Sequence, residues 1–148
     1  MSEKPKISRP VSVLPVLKRW AGARQENFIL LTLDGAGSVI RVYHLTKGLV
    51  NRTIIHPREC FYPAIKDNAS SVMIAHNHPS GNCHPSNEDI DITKRLFLAG
   101  HLMGIKVLDH IIFAKNYKHY SFRENGFFDE LTNLDITRWV EEYLSDVV

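Results

Sequence analysis

The sequence contains little cysteine, little net charge and no long apolar run. Its two cysteines, Cys60 and Cys83, are too few among 148 residues for a disulfide framework, and such scarcity is typical of proteins from a reducing cytoplasm. The net charge of +2 is too small to indicate a nucleic-acid-binding surface, and the first ten residues lack the apolar stretch of a secretion signal. With 44% hydrophobic and 23% charged residues, the composition favours one cytoplasmic globular domain rather than a membrane span, a collagen-like chain or a disordered chain.

Charge is distributed unevenly between the two ends of the chain. Residues 1–24 carry six lysines and arginines against one glutamate, whereas seven acidic residues from Glu124 onward face only Arg138. Two interpretations are open. Either both ends are simply solvated, or they attract each other, within one chain or between the chains of a homo-oligomer.

Hydrophobic periodicity predicts an α/β domain in which helices flank a mixed β-sheet. Residues 1–10 are predicted to be a disordered lead, 11–126 the domain itself, and 127–148 an amphipathic helical extension. The predicted strands are 27–33, 39–46, 49–55, 71–76, 105–108, 110–114 and 117–122, and the predicted helices are 11–23, 57–66 and one from Ser86 to between Gly100 and Gly104.

One stretch combines residues with metal-binding chemistry. His76 and His78 lie two positions apart where a predicted strand ends, and the two-residue period of a strand puts both side chains on one face. Ser86 is the predicted N-cap of the next helix, and Asp89 in its first turn can point back toward the strand end. Separately, these features have structural explanations, a polar strand end and a capping box. Together they predict a Zn²⁺ site with three protein ligands and a fourth position for water.

The string His76-x-His78-Pro79-x6-Ser86-x2-Asp89 matches the JAMM motif. The chain from residue 26 to 126 resembles the bacterial RadC-like branch of the JAB/MPN metalloprotease family. The segments that carry this resemblance are NRTIIHPREC (51–60), HNHPSG (76–81), PSNEDI (85–90), GIKVLDHIIF (104–113) and YSFRENG (120–126). The resemblance implies a cytidine-deaminase-like α/β fold and one zinc ion per chain. It also implies a peptidase or isopeptidase activity in which zinc-activated water attacks an amide.

The resemblance further implies a role for each site residue. The two histidines and Asp89 would bind the zinc ion, and Ser86 would help to hold the oxyanion of the reaction. The family also uses a distant upstream glutamate as the general base. Among Glu26, Asp34 and Glu59 we expect Glu26, because it opens an apolar strand as the family's glutamate does. Asp34 fits a turn and Glu59 a surface helix, and the alternative for Glu26 is a solvated turn residue.

Several residues near the motif have two interpretations. Cys83 and His84 lie in the loop beside the site, either as ordinary loop residues or as a fourth ligand that would silence the zinc ion. Asp109 and His110 form either a buried structural pair or a support that orients a ligand histidine. Cys60 is predicted to be a core residue.

The competing function is a DNA-repair-associated or DNA-binding accessory module with a non-catalytic metal site. Longer RadC-like proteins carry a helix-hairpin-helix region before this domain, and no such hairpin signature occurs before Glu26. A protein-interaction domain is a third possibility, but such a domain does not need a full ligand set. The expected partner is therefore an unidentified peptide or protein substrate. We expect neither membrane binding nor DNA binding by this chain alone.

Overall fold

The computed structural model describes residues 3–47, 55–132 and 136–147. The strands are β1 (Asn27–Leu33), β2 (Val39–Lys47), β3 (Ser71–Asn77), β4 (Lys106–Phe113) and β5 (His119–Ser121). They form one sheet in the order β2-β1-β3-β4-β5. β3 and β4 run parallel and the other neighbouring pairs are antiparallel, which confirms the predicted mixed sheet. The α-helices of the described residues are α1 (Leu14–Leu17), α2 (Pro57–Lys66), α3 (Asn87–Met103), α4 (Phe127–Thr132) and α5 (Ile136–Val147).

Both faces of the sheet are buried. On one face Leu30 and Ile74 pack in the same cluster as Leu96 of α3. On the other face Leu31 packs with Leu17 of α1. Because side chains alternate along a strand, His76, two residues after Ile74, lies on the α3 face.

Helix α3 connects two parallel neighbours, β3 and β4. Parallel strands require such a crossover, which returns the chain along the sheet. The helix ends at Gly104, whose φ of 71° lies in the left-handed region that glycine tolerates. The predicted helix is therefore confirmed, and its first turn lies over the carboxyl end of β3, where the two histidines are.

The N-terminal segment differs from the predicted helix 11–23 and from the predicted disordered lead. It forms three short turns, a 3-10 turn (Pro10–Val13), α1, and a second 3-10 turn (Lys18–Trp20). Pro10 and Pro15 lack the backbone N–H groups that a continuous helix donates. Residues 5–7 of the lead lie along the β1–β2 turn, because Ile7 N–H donates to Gly37 O at 2.9 Å and Val39 N–H donates to Pro5 O at 2.8 Å.

The predicted strands 105–108 and 110–114 are one strand, β4. The prediction placed a break in the strand at Asp109, but this residue lies inside the strand and is 1% exposed. Its carboxylate accepts hydrogen bonds from Ser121 Oγ at 2.5 Å and from Arg123 N at 3.0 Å, and these bonds partly offset the burial that raises the pKa of Asp109. A register shift opposite Val72 and Met73 accommodates Leu108.

The remaining segments follow the predictions in part. Helix 57–66 is confirmed, and the short β5 occupies the middle of the predicted strand 117–122. The predicted strand 49–55 lies, apart from Ile55, outside the described residues. Residues 127–147 contain two helices, and α4 buries Phe128 and Leu131 in the core. None of the described helices combines the length and apolar character needed to cross a membrane.

Candidate metal centre

The two histidines lie at the carboxyl end of β3. His76 is 3% exposed and His78 is 8% exposed. The backbone N–H of His78 donates to Phe113 O at 3.0 Å, which holds the residue beside the end of β4. The Nε2 atoms of the two rings are 3.0 Å apart. The strand therefore brings both imidazoles to one point, as the sequence predicted.

Asp89 reaches the same point from the first turn of α3. Its carboxylate oxygens lie 3.1 Å from His76 Nε2 and 3.2 Å from His78 Nε2. The predicted capping box positions this side chain, because Ser86 N–H donates to Asp89 Oδ2 at 2.9 Å and Asp89 N–H donates to Ser86 Oγ at 3.2 Å. The three predicted ligands thus converge on one position.

The spacing of the donor atoms fits a zinc ion. Zinc bonds of about 2.0–2.1 Å in tetrahedral geometry separate neighbouring ligand atoms by roughly 3.3–3.4 Å. The two ring nitrogens are 3.0 Å apart, and Asp89 approaches them through different oxygens, with Oδ1 3.1 Å from His76 Nε2 and Oδ2 3.2 Å from His78 Nε2. Each of these contacts is within a few tenths of an ångström of that value. Two imidazole nitrogens and one carboxylate are also the ligand types that zinc accepts in catalytic sites.

Hydrogen bonding orients the ring of His78. Its Nδ1 lies 2.7 Å from Asn82 O, and a carbonyl oxygen only accepts, so Nδ1 carries the proton. Nε2 therefore faces Asp89 and His76, where it can hold either a proton shared with Asp89 or a metal ion. A proton on Nδ1 is the arrangement that a metal ligand at Nε2 requires.

The electrostatics of the cluster favour a positive charge. Burial raises the pKa of Asp89, but its hydrogen bonds to His76 and His78 outweigh burial and hold that pKa well below its usual range. Burial lowers the pKa of His78, but its bonds to Asp89 and the Asn82 carbonyl outweigh this effect and raise the pKa. A proton or a metal cation at this point is therefore stabilised.

Glu26 lies beside the histidines. One of its carboxylate oxygens and one ring nitrogen each of His76 and His78 all lie within 4.8 Å of one another. Asn77, whose side chain points away from the metal position, explains this placement. Its Oδ1 accepts from Asn27 N at 2.6 Å and its Nδ2 donates to Gln25 O at 3.0 Å, so it holds the segment that contains Glu26.

The other two acids have different roles. Asp34 Oδ1 accepts hydrogen bonds from Ala36 N and Ser38 N, both at 2.9 Å, which is turn chemistry. Glu59 Oε2 accepts from His56 N at 3.3 Å at the exposed start of α2. The structure therefore brings Glu26 to the histidines, as the sequence analysis expected.

The loop residues Cys83 and His84 point to other partners. Cys83 is buried, and its thiol donates to Lys118 O at 3.5 Å. Burial raises the pKa of this thiol, which opposes the thiolate form that binds metals. His84 is exposed, and its backbone N–H donates to Asn82 Oδ1. These contacts favour ordinary loop roles over a fourth ligand.

A groove of about 480 Å³ opens beside His78. Residues 21–24, the loop 78–81, residues 114–116 and Lys118 form its walls. Its lining contains the cations Arg24, Lys115 and Lys118 and no acidic residue. The groove therefore reaches the site at His78 and carries positive charge.

Comparison with known families agrees with this geometry. The family model of the RadC-like JAB domain matches residues 7–127. The chain belongs to the RadC-like JAB family. Its fold, a mixed five-stranded sheet with flanking helices, is that of an α/β JAB/MPN domain.

The relatives of this RadC-like JAB domain are UPF0758 proteins. The protein from Methanospirillum hungatei is 42% identical over 127 residues, which cover 84% of this chain and 56% of the relative. The protein from Pelobacter propionicus is 48% identical over 103 residues, or 70% and 44% of the two chains. The protein from Staphylococcus haemolyticus is 42% identical over 129 residues, or 86% and 56%. The chain spans about half the length of these relatives.

One contact of this RadC-like JAB domain was not predicted from the sequence. Thr93, one helical turn after Asp89, is fully buried and bonds to His110, yet a single threonine within an amphipathic helix gave little signal. His110 lies 2.8 Å from His76, whereas Asp109 bonds to Ser121 and Arg123 instead. Asp109 therefore fits the interpretation of a buried structural residue, whereas His110 lies beside the predicted ligand His76.

Proposed function

We propose that this domain is a zinc-dependent hydrolase that cleaves an amide bond, of the metallopeptidase or isopeptidase type. The observation that carries the proposal is the convergence of His76, His78 and Asp89 within 3.0–3.2 Å of one another, with the Glu26 carboxylate beside the histidines. Membership of the RadC-like JAB family supports it.

His76, His78 and Asp89 would hold the zinc ion. When bound there, the ion would supply Lewis-acid activation of water and of a carbonyl oxygen. The low exposure of the three side chains excludes bulk water and strengthens their electrostatic interactions with the reacting atoms.

Glu26 would act as the general base and then as the general acid. Its carboxylate takes a proton from the attacking water while the oxygen bonds to the carbonyl carbon. When the carbon–nitrogen bond breaks, Glu26 returns that proton to the leaving amine. Ser86 accepts the Asp89 N–H through its hydroxyl oxygen, and a hydroxyl can also donate. It would donate to the oxygen that becomes negative as the carbonyl is attacked.

The substrate would approach along the groove beside His78. Arg24, Lys115 and Lys118 line it, so complementary charge favours a peptide segment that carries carboxylates. Replacing both Lys115 and Lys118 with glutamate should therefore raise KM more for acidic peptides than for neutral ones.

The first test is metal content. We expect one zinc per wild-type chain by mass spectrometry, and loss of that zinc in His76→Ala. His101→Ala, an exposed histidine on α3, is the matched control and should keep the metal. A wild-type chain without zinc, or full retention in His76→Ala, would contradict the assignment.

The second test separates binding from chemistry. Glu26→Gln should keep its zinc and its fold, while hydrolysis of a mixed peptide library falls by about 10²–10⁴-fold, the usual effect of general acid–base catalysis. Glu59→Gln is the control, because a glutamine can keep the capping contact at the start of α2. Zinc binding without hydrolysis, together with salt-dependent DNA binding, would instead favour the accessory-module alternative.

A further inference from the structure

A chain of hydrogen bonds links Asp89 to the far side of the His76 ring. Thr93 Oγ1 lies 2.5 Å from the backbone oxygen of Asp89 and 2.6 Å from His110 Nδ1. His110 Nε2 lies 2.8 Å from His76 Nδ1. Thr93 and His110 are both 0% exposed, so water does not compete for these contacts.

The donors and acceptors along this chain can be assigned from its chemistry. The backbone oxygen of Asp89 only accepts, so the single hydroxyl proton of Thr93 points to it. Thr93 Oγ1 must then accept from His110, which places the proton of His110 on Nδ1. The His110 ring is fully buried between Thr93 Oγ1 and His76 Nδ1, where a charge would be left uncompensated, so the ring is neutral and its Nε2 accepts. His76 is therefore the donor, through Nδ1–H.

We propose that Thr93 and His110 are positioning residues that hold His76 as the Nδ1–H tautomer, so that its Nε2 lone pair faces the metal position. The proposal rests on the metal site proposed above. The hydrogen-bond chain connects the proposed ligands His76 and Asp89, because the Thr93 hydroxyl that orients His110 is itself oriented by the backbone oxygen of Asp89.

Packing alone does not explain which nitrogen of each ring carries the proton. Phe28 stacks on His76 with ring centroids 5.7 Å apart, and Phe122 stacks on His110 at 5.0 Å. These stacks fix the planes of the two rings. They do not distinguish one ring nitrogen from the other, because both lie at the edge of the ring. The choice of tautomer therefore depends on the hydrogen bonds.

The variant test compares Thr93→Val with Thr93→Ser. Valine keeps the shape of threonine and removes the acceptor for His110 Nδ1–H. The proton of His110 then moves to Nε2 and displaces the proton of His76 from Nδ1 to the metal-facing Nε2. We expect the zinc Kd, measured by chelator competition, to rise about 10–100-fold, the usual effect of losing a partner of a ligand. Thr93→Ser keeps the hydroxyl and should stay within about threefold of wild type.

A second measurement reads the tautomer directly. Long-range ¹⁵N–¹H NMR of the metal-free wild type should show a proton on His76 Nδ1. Thr93→Val should remove that proton from Nδ1. A wild-type His76 without a proton on Nδ1, or a Thr93→Val variant whose folded form binds zinc as tightly as wild type, would overturn the proposal.

The two proposals fail in different ways. A wild-type chain that binds no zinc contradicts the proposed function, whereas the tautomer is read without metal and still decides the role of His110. If Thr93→Val does not fold, the wild-type spectrum decides the tautomer by itself.

Discussion

Ser86 caps helix α3, and its variants should separate this role from the proposed role as an oxyanion donor. As N-cap of α3, its hydroxyl oxygen accepts the Asp89 N–H at 3.2 Å, and loss of such a cap to alanine costs about 1 kcal/mol, within a range of roughly 0.5–2. For a domain of this length that corresponds to a fall in Tm of about 2–4 °C per kcal/mol. Glycine at an N-cap costs only a few tenths of a kcal/mol. Ser86→Ala should therefore be clearly less stable than Ser86→Gly.

Hydrolysis should not follow this order of stability. Both variants lack the hydroxyl, and one oxyanion donor is worth about 10²–10³-fold in kcat, so alanine and glycine should lose activity equally. The contact from Ser86 N to Asp89 Oδ2 uses the backbone and persists in both variants, so zinc content should be unchanged.

The assay for Ser86 is urea denaturation of the metal-free protein, because bound zinc would add its own linkage to the free energy of unfolding. Ser86→Thr keeps the hydroxyl and serves as the control. A Ser86→Ala variant within about 0.3 kcal/mol of wild type would contradict the role of the cap. A loss of hydrolysis in Ser86→Ala but not in Ser86→Gly would show that the residue acts through the helix rather than through its hydroxyl.

Three further predictions concern the rest of the chain. Gly100→Ala should lower the free energy of unfolding by about 1–3 kcal/mol or more in urea denaturation, because an added Cβ would clash with Ile105 O; a wild-type value would contradict the packing of α3 on β4. Burial, and then Glu59, raise the pKa of Cys60 to about 12. An unfolded thiol titrates near 8.5, so stability should fall between pH about 8.5 and 12 as the unfolded state loses its proton first, and Cys60→Ala should show a shallower fall. Deleting residues 136–148, which leaves the buried part of α4 in place, should change the sedimentation coefficient beyond the loss of mass if the acidic end mediates self-association; a monomer in both forms would refute that hypothesis.

Local patterns in the sequence predicted that His76, His78 and Asp89 lie together, and the resemblance to the JAMM motif implied that they bind a metal. The spacing of His76 and His78 follows from the two-residue period of a strand, and Ser86 and Asp89 from the first turn of a helix. Each pattern lies within a few residues, so its geometry depends little on the rest of the chain. The continuous apolar run of β1 was readable for the same reason.

The tertiary structure decided how distant segments meet at the site. Asn77 holds the Glu26 segment through contacts that span 50 residues of sequence, and no local pattern encodes such a pairing. The parallel register of β3 and β4, which pairs Ile74 with His110, brings His110 beside His76. The sequence prediction left Asp109 between two strands, whereas it lies inside β4. Its partners Ser121 and Arg123 become visible only when the chain turns back after β4. The sequence thus determined which groups can bind a metal, whereas the packing of the strands determined which groups orient them.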